Sequence, residues 1–187
     1  MSGVEIDNPD LEKVRETVED RFGAAVLEVT YAHKELSVRI RKDDLLAVLG
    51  FLKTEQGFKA LNDMIGLDRG PGQSPGVQFR GEGSPLGHPP PVGEGRKRFS
   101  VLYQLYRIPG FQRVRIVVDL DDGETVDSVV PLYRSADWAE REIFDMFGIR
   151  FAGRDDLRRI YLPDEFEGHP LRKDYPLEGN ESCRLKT

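Results

Sequence analysis

The acidic residues of one short segment, Glu140, Glu142 and Asp145, are the first candidates for chemistry in this chain. Two carboxylates can exchange protons with a substrate when they converge on one pocket and have separated pKa values. On a helix, however, side chains two residues apart point about 200° away from each other, so Glu140 and Glu142 cannot converge. We therefore reject a catalytic carboxylate pair. We expect Arg141 and these acids to form ion pairs with one another or with a partner subunit.

Trp138 is the single tryptophan of the chain, and it precedes Glu142 by four residues and Asp145 by seven. Residues at these spacings share one side of a helix. Two interpretations remain open. In the first, Trp138 folds onto a sheet edge while the two acids are solvated. In the second, the stripe docks a partner, because an aromatic side chain ringed by charge is a common anchor of protein interfaces.

Other catalytic and cofactor-binding chemistries find no support in the sequence. One cysteine, Cys183, and three dispersed histidines, His33, His88 and His169, cannot form an iron–sulfur or zinc site. The glycines around Glu82 lie in a loop and lack the third glycine and the helix start of a nucleotide-binding motif. Nothing near His169 supports a serine or cysteine nucleophile. The sequence predicts a chain without a bound redox cofactor.

Composition narrows the class of protein further. The net charge of −6 disfavours nucleic acid as the main ligand. No apolar run reaches the ~18 residues of a membrane span, and the first ten residues lack the pattern of a signal peptide. The single cysteine fits a reducing compartment. We expect a hydrophilic protein that reaches a membrane only through its partners.

The helix that carries the candidate residues is predicted over residues 136–147. Ser135 is placed as its N-cap, and Gly148 suits the position after its last residue. The face expected to enter the core consists of Ala136, Ala139, Ile143, Met146 and Phe147.

The rest of the chain predicts a sheet that supports this helix. Strands are expected over residues 26–31, 35–41, 99–106 and 113–120, and helices over residues 11–22, 45–52 and 58–65. Pro109 and Gly110 suit the turn between the last two strands. The predicted fold is α+β, an antiparallel sheet of about four strands with helices on one face, plus an extended C-terminal docking tail.

Two segments depart from this regular pattern. Residues 70–97 form a Gly/Pro-rich inserted loop within a core domain of residues 1–151. Residues 152–187 form a C-terminal arm with too many glycines and prolines for a long helix. Because its alternating charges find no partner within the arm, we expect it to be mobile alone and ordered only against another subunit.

The segment from Asp137 to Pro176 resembles one known family almost continuously. The run from Asp137 through Glu142 and Asp145 to Phe151, then Asp156-Leu157-Arg158-Arg159-Ile160, then Gly168-His169-Pro170-Leu171-Arg172-Lys173-Asp174-Tyr175-Pro176, is similar to the signature of the C subunit (30 kDa subunit family) of respiratory complex I, the proton-pumping NADH:quinone oxidoreductase. Two features depart from the family. Arg154 and Asp155 stand where it usually has His-Pro, and the insert of residues 70–97 is longer than usual.

The resemblance implies a hydrophilic core subunit of the peripheral arm of the complex, without catalytic residues. NADH, FMN, iron–sulfur clusters and quinone would be carried by partner subunits. These partners would be the large quinone-site subunit (the D-type subunit) and neighbouring iron–sulfur subunits, on the cytoplasmic face of a prokaryotic cell membrane. Residues proposed for partner docking are Trp138, Glu140, Arg141, Glu142, Asp145, Arg158, Arg159, Arg172, Lys173, Asp174 and Tyr175.

Two other interpretations stay open. The equivalent scaffold subunit of a membrane-bound [NiFe] hydrogenase, or of a related donor:quinone dehydrogenase, shares this module. The large partner subunit would decide, since a hydrogenase partner has four nickel-binding cysteines. A free-standing interaction domain or small hydrolase is the third interpretation, and it would require converging titratable groups in a pocket.

Overall fold

The computed structural model describes residues 6–70, 97–176 and 178 of the chain. Its helices are α1 (Pro9–Phe22), α2 (Leu45–Thr54), which follows a short 3-10 turn, and α3 (Ala136–Phe147). Its strands are β1 (Val26–Ala32), β2 (Glu35–Ile40), β3 (Ala60–Asp68), β4 (Phe99–Arg107), β5 (Gln112–Leu120), β6 (Thr125–Asp127) and β7 (Arg150–Ala152). The predicted inserted loop lies almost entirely outside the described residues.

The main sheet has five strands in the order β1-β2-β5-β4-β3. The two predicted hairpins, β1-β2 and β4-β5, are antiparallel and confirmed. The sheet is nevertheless mixed, because β2 pairs with β5 in parallel. The α+β class is confirmed; the sheet has five strands where about four were expected, and one of its pairings is parallel where an antiparallel sheet was expected.

The additional strand is β3, which occupies the segment predicted as a helix over residues 58–65. Leu61 and Met64 are both buried, and their spacing of three residues imitates a helix. A β-bulge between Leu61 and Asp63 causes this spacing, because it inserts one residue into the alternation of the strand. The strand forms the outer edge of the sheet next to β4.

The helices cover one face of the sheet, as predicted. Alternate residues of the central strands, such as Tyr103, Leu105 and Ile116, belong to a single buried cluster with apolar residues of all three helices. α1 begins at an N-cap, Asn8, whose side chain accepts hydrogen bonds from the backbone N–H groups of Asp10 and Leu11.

Close packing against the edge strand positions α3. A Cβ added to Gly66 of β3 would lie 2.7 Å from the ring of Phe147, so only glycine allows the helix to approach this closely. The hydroxyl of Ser135 donates to the backbone oxygen of Leu61 at 3.0 Å. Ser135 occupies the N-cap position of α3, as predicted, but its side chain makes no capping hydrogen bond.

A second, smaller sheet is formed by the strand before α3 in the chain and the strand after it. In it β6 and β7 pair in parallel through three residues each. Strands this short carry too few residues to show an alternating pattern, and neither was predicted.

Candidate functional site

Helix α3 has the predicted bounds, and most of its expected core face is confirmed: Ala136 and Ile143 are buried, and Ala139 and Phe147 pack against the core. Three polar residues that were not expected in the core are buried as well. The buried residues of α3 are Ala136, Glu140, Arg141, Ile143 and Asp145. Trp138 is 68% exposed and Glu142 also faces solvent. The predicted stripe is therefore divided: its first two members are on the surface, whereas Asp145 is fully buried.

Asp145 binds the C-terminal arm. Its carboxylate accepts hydrogen bonds from the backbone N–H groups of Ile160, Tyr161 and Leu162 at 3.0, 2.8 and 3.1 Å, and Arg159 pairs with it at 2.8 Å. Burial alone would raise the pKa of Asp145, but the three backbone donors and the guanidinium outweigh it and lower the pKa. The ionised carboxylate therefore holds the arm against α3.

Glu140 is the second buried carboxylate of α3. It accepts hydrogen bonds from the hydroxyl of Ser128 at 2.9 Å and from the backbone N–H of Val129 at 2.8 Å, and Arg154 pairs with it at 3.0 Å. Burial raises the pKa of Glu140 in spite of these donors. Glu140 and the exposed Glu142 point apart, as their spacing predicts.

The side chain of Arg154 contacts three carboxylates. Arg154 pairs with Glu140 and Asp137, and with Asp156 at 2.8 Å. Arg141 pairs with Asp137 at 3.2 Å and with Asp156. These pairs hold the pKa of Asp156 at about 2. The prediction that Arg141 and neighbouring acids pair with one another is confirmed.

The arm also caps the C-terminal end of α3. The imidazole Nδ1 of His169 lies 2.9 Å from the backbone oxygen of Asp145. The backbone N–H of Leu171 donates to the backbone oxygen of Met146 at 3.1 Å. The guanidinium of Arg172 donates to the backbone oxygen of Phe147 at 2.6 Å. The backbone N–H of Gly148 donates to the backbone oxygen of Phe144 at 2.8 Å. All four carbonyl groups that a helix leaves open at this end are thus satisfied.

A third buried carboxylate fastens the arm to the end of the sheet. Asp68 accepts a hydrogen bond from the backbone N–H of Lys173 at 2.8 Å and pairs with Arg98 at 3.0 Å. Arg98 also pairs with Asp174 at 2.7 Å. The guanidinium groups of Arg98 and Arg172 lie 4.7 and 5.1 Å from the centre of the Phe99 ring.

The structure therefore corrects one expectation about the arm. Its charges do have partners within the chain: Asp145, Glu140 and Asp68 lie on the α+β domain, and Asp156, which pairs with Arg154, lies in the arm itself. Tyr175 stacks on Phe166 within the arm, with 6.2 Å between ring centres. The sequence could not reveal these contacts, because Asp68 lies 105 residues from Lys173.

The predicted docking residues thus fall into three groups. The surface residues are Trp138, Glu142, Arg158, Lys173 and Asp174. The partly buried residues are Arg159, Arg172 and Tyr175. Glu140, Arg141 and Asp145 are buried and occupied by contacts within the chain. Tyr161 is a surface residue that the sequence pattern did not single out: it is 66% exposed and lines a groove with Trp138. Docking by these residues stays a prediction.

The described residues contain neither a metal-binding cluster nor a membrane-spanning helix. No group of three or more His, Cys, Asp or Glu side chains among them is arranged to hold a metal ion. No helix in that part of the chain is long and apolar enough to cross a membrane.

Comparisons with known proteins identify the family. The family model described as respiratory-chain NADH dehydrogenase, 30 Kd subunit, matches residues 38–181. A protein of Trichlorobacter lovleyi, named as the C subunit of NADH-quinone oxidoreductase, is 37% identical over 171 residues, which cover 91% of this chain and 92% of the relative. A protein of Geotalea uraniireducens with the same name is 37% identical over 180 residues, covering 96% and 93%.

A solved structure shares the fold. It is a structure of the membrane-bound sulfane sulfur reductase, an archaeal respiratory membrane complex, and the matching chain has a TM-score of 0.66 over 90% of this chain and 86% of its own length. At 17% identity this likeness shows the fold alone. The family assignment rests on the family model and the sequence relatives. The chain belongs to the family of the 30 Kd subunit of respiratory-chain NADH dehydrogenase, which is the C subunit of complex I.

Proposed function

We propose that this chain is a cofactor-free scaffold subunit in the peripheral arm of a proton-translocating NADH:quinone oxidoreductase. It holds the large quinone-site subunit in place while electrons pass from NADH to quinone on other subunits. The names of its relatives support the enzyme. The chain itself would have no catalytic residue and would reach the cytoplasmic face of the membrane only through the complex.

One observation supports the scaffolding role: contacts between α3 and the arm hold the two together, and a tryptophan stays exposed beside them. Asp145 and the capping contacts fix the arm against α3, and Trp138 remains on the surface beside it. Electron transfer requires constant distances between cofactors, and a neighbour with a fixed shape can maintain them. An exposed aromatic side chain on such a unit is a typical interface anchor.

Deletion of the chain tests the role in the assembly. We expect the complex without it to lose quinone reduction while it still oxidises NADH with an artificial electron acceptor. An equal loss of both activities would contradict a place beside the quinone-site subunit. Mass spectrometry of the copurifying chains identifies the large subunit. Four nickel-binding cysteines in that subunit would indicate a hydrogenase-type assembly instead.

Trp138→Ala tests the anchor directly. Because the side chain is 68% exposed, we expect the unfolding free energy of the isolated chain to change by less than about 0.5 kcal/mol. Association with the large subunit should weaken by about 2–4 kcal/mol. A large loss of monomer stability with unchanged association would contradict the role of Trp138 as an anchor.

A further inference from the structure

A groove between the edge strand β3, helix α3 and the arm has aromatic walls. Its volume is about 220 Å³, and Trp138 of α3 and Tyr161 of the arm both line it. These side chains are 68% and 66% exposed, although both lie beside apolar residues such as Met64 and Ile160. The groove is therefore large enough for one long side chain and small for a cofactor.

The charge of the groove is negative. Glu142 and Asp63 line it, and none of its lining residues is cationic. The other three acids of α3, Asp137, Glu140 and Asp145, each pair with an arginine. Within the described part of the chain, Glu142 is the acid of this helix with no such pair, and it lies one turn after Trp138.

The aromatic lining and the negative charge of the groove together favour one kind of occupant. An apolar side chain would remove water from the Glu142 carboxylate without replacing its hydrogen bonds, which costs free energy. A guanidinium group satisfies both surroundings, because it stacks on aromatic rings and pairs with a carboxylate through two parallel hydrogen bonds. A lysine ammonium is more strongly hydrated and cannot make the planar contact.

We propose that the groove receives an arginine side chain of the partner subunit, held between Trp138 and Tyr161 and paired with Glu142. The inference rests on the proposed function, because it requires a partner at this surface. It adds the chemistry of recognition: the partner segment that reaches α3 presents a guanidinium group, and Asp63 on the edge strand adds a second negative charge beside it.

A titration of the isolated chain tests the chemistry of the groove. Trp138 is the single tryptophan of the chain, so its indole N–H signal reports on this groove alone. The probe is N-acetyl-arginine amide, and the neutral isostere N-acetyl-citrulline amide is its control. We expect saturable shifts of the indole signal at millimolar arginine amide, and at least tenfold weaker binding of the citrulline amide.

Glu142→Gln should reduce the affinity for arginine amide about tenfold, to the level of citrulline amide. The matched control is Glu165→Gln, an exposed acid of the arm outside the groove, which should leave the affinity unchanged. Equal binding of both amides by the unaltered chain would overturn the proposal, as would an unchanged affinity in Glu142→Gln.

Association with the large subunit then separates this proposal from the proposed function. If both Trp138→Ala and Glu142→Gln weaken association, the proposal is supported. If Trp138→Ala weakens it and Glu142→Gln does not, the scaffold role stands and the arginine proposal fails. If neither variant weakens it, this surface does not dock the large subunit, and both the anchor role of Trp138 and the arginine proposal fail, while deletion of the chain still decides the scaffold role.

Discussion

Buried carboxylates hold the distant parts of this chain together. Asp68, Glu140 and Asp145 all have side chains with 0% exposure, and each pairs with an arginine. A buried charge is costly without its partner, whereas a backbone N–H group gains from an ionised acceptor. The attachment of the arm therefore depends on a few individual residues, more than on apolar area.

Replacing Asp145 by asparagine should loosen the arm. The variant keeps the size of the side chain, but three backbone donors and Arg159 must then share one neutral oxygen. We expect a loss of about 1.5–3 kcal/mol in the free energy that holds the arm. Hydrogen exchange measures it: the amides of Ile160, Tyr161 and Leu162 should exchange at least about tenfold faster. Glu142→Gln on the same helix is the control, and equal protection in both variants would contradict the clamp.

Gly148→Ala should displace the arm by direct contact. Gly148 has a φ of 74°, and an added Cβ would lie 2.5 Å from Nε2 of His169. Gly153 is a matched control, because its φ is 79° and an added Cβ meets nothing within 4 Å. Each alanine should cost about 1–2 kcal/mol of backbone strain. Only Gly148→Ala should also disturb the arm. Hydrogen exchange checks this: the amides of Leu171 and Arg172 should exchange faster in Gly148→Ala and not in the Gly153→Ala control.

At the scale of elements, the arm acts as the C-cap of α3. A helix usually ends with a cap from its next few residues, and Gly148 supplies one such bond here. The other open carbonyl groups are satisfied by His169, Leu171 and Arg172, more than twenty residues further along the chain. The end of α3 and the position of the arm therefore depend on each other.

Acid should release the arm in two steps. Burial first, and then the nearby Arg172 and Arg159, lower the pKa of His169 below its ordinary 6.5, although the contact with the Asp145 carbonyl opposes this shift. The neutral imidazole is thus the form that fits, and its Nδ1–H donates to that carbonyl. A group with a lowered folded pKa contributes stability above its unfolded pKa, so this contribution falls as the pH drops below 6.5.

The second step is the protonation of the Asp145 carboxylate. The pKa of Asp145 is lowered from 3.8, so its contribution is present above 3.8 and is lost as the pH falls further. Exchange of the arm amides, measured from pH 7 to pH 3 and corrected for intrinsic rates, should show both steps. His169→Asn keeps a donor that does not titrate and should remove the upper step. An unchanged upper step would exclude His169 as its cause.

Two of the differences from the sequence prediction have identifiable physical causes: the strand β3 in place of a helix, and the burial of Glu140 and Asp145. The helices α1 and α3 and both hairpins follow patterns that are local in sequence, and local patterns were sufficient to predict them. The bulge in β3 depends on pairing with β4, so the sequence showed helical spacing instead. Burial of Glu140 and Asp145 depends on Arg154 and Arg159, each 14 residues away, and an apolar pattern cannot reveal such partners.

At the scale of the whole molecule, the arm is part of the stability of the domain. A chain ending at Gly153 would keep Glu140 and Asp145 in place but remove Arg154 and Arg159. Breaking a buried ion pair from one side costs about 3–5 kcal/mol, so we expect this chain to be severely destabilised. This prediction differs from the expectation, drawn from the sequence, that the arm is mobile alone and ordered only against another subunit.

Urea unfolding of two truncated chains checks this prediction. A chain ending at Pro176 keeps these contacts and should resemble the full chain. In the chain ending at Gly153, adding Glu140→Gln and Asp145→Asn should recover part of the lost free energy, because neutral side chains need no arginine. A chain ending at Gly153 that is as stable as the full chain would contradict the dependence on the arm.

The remote cap of α3 has a consequence for synthesis on the ribosome. The chain emerges from its N-terminus, so residues 136–147 leave the ribosome before Arg154, Arg159 and Arg172 emerge. Until then α3 carries two buried acids without counter-ions and an open C-terminal end, and the domain cannot close around it. A chain terminated before Arg154 would keep this defect and stay open to proteases, whereas a chain that includes the arm closes it. Emergence of the arm and closure of the domain around α3 thus coincide.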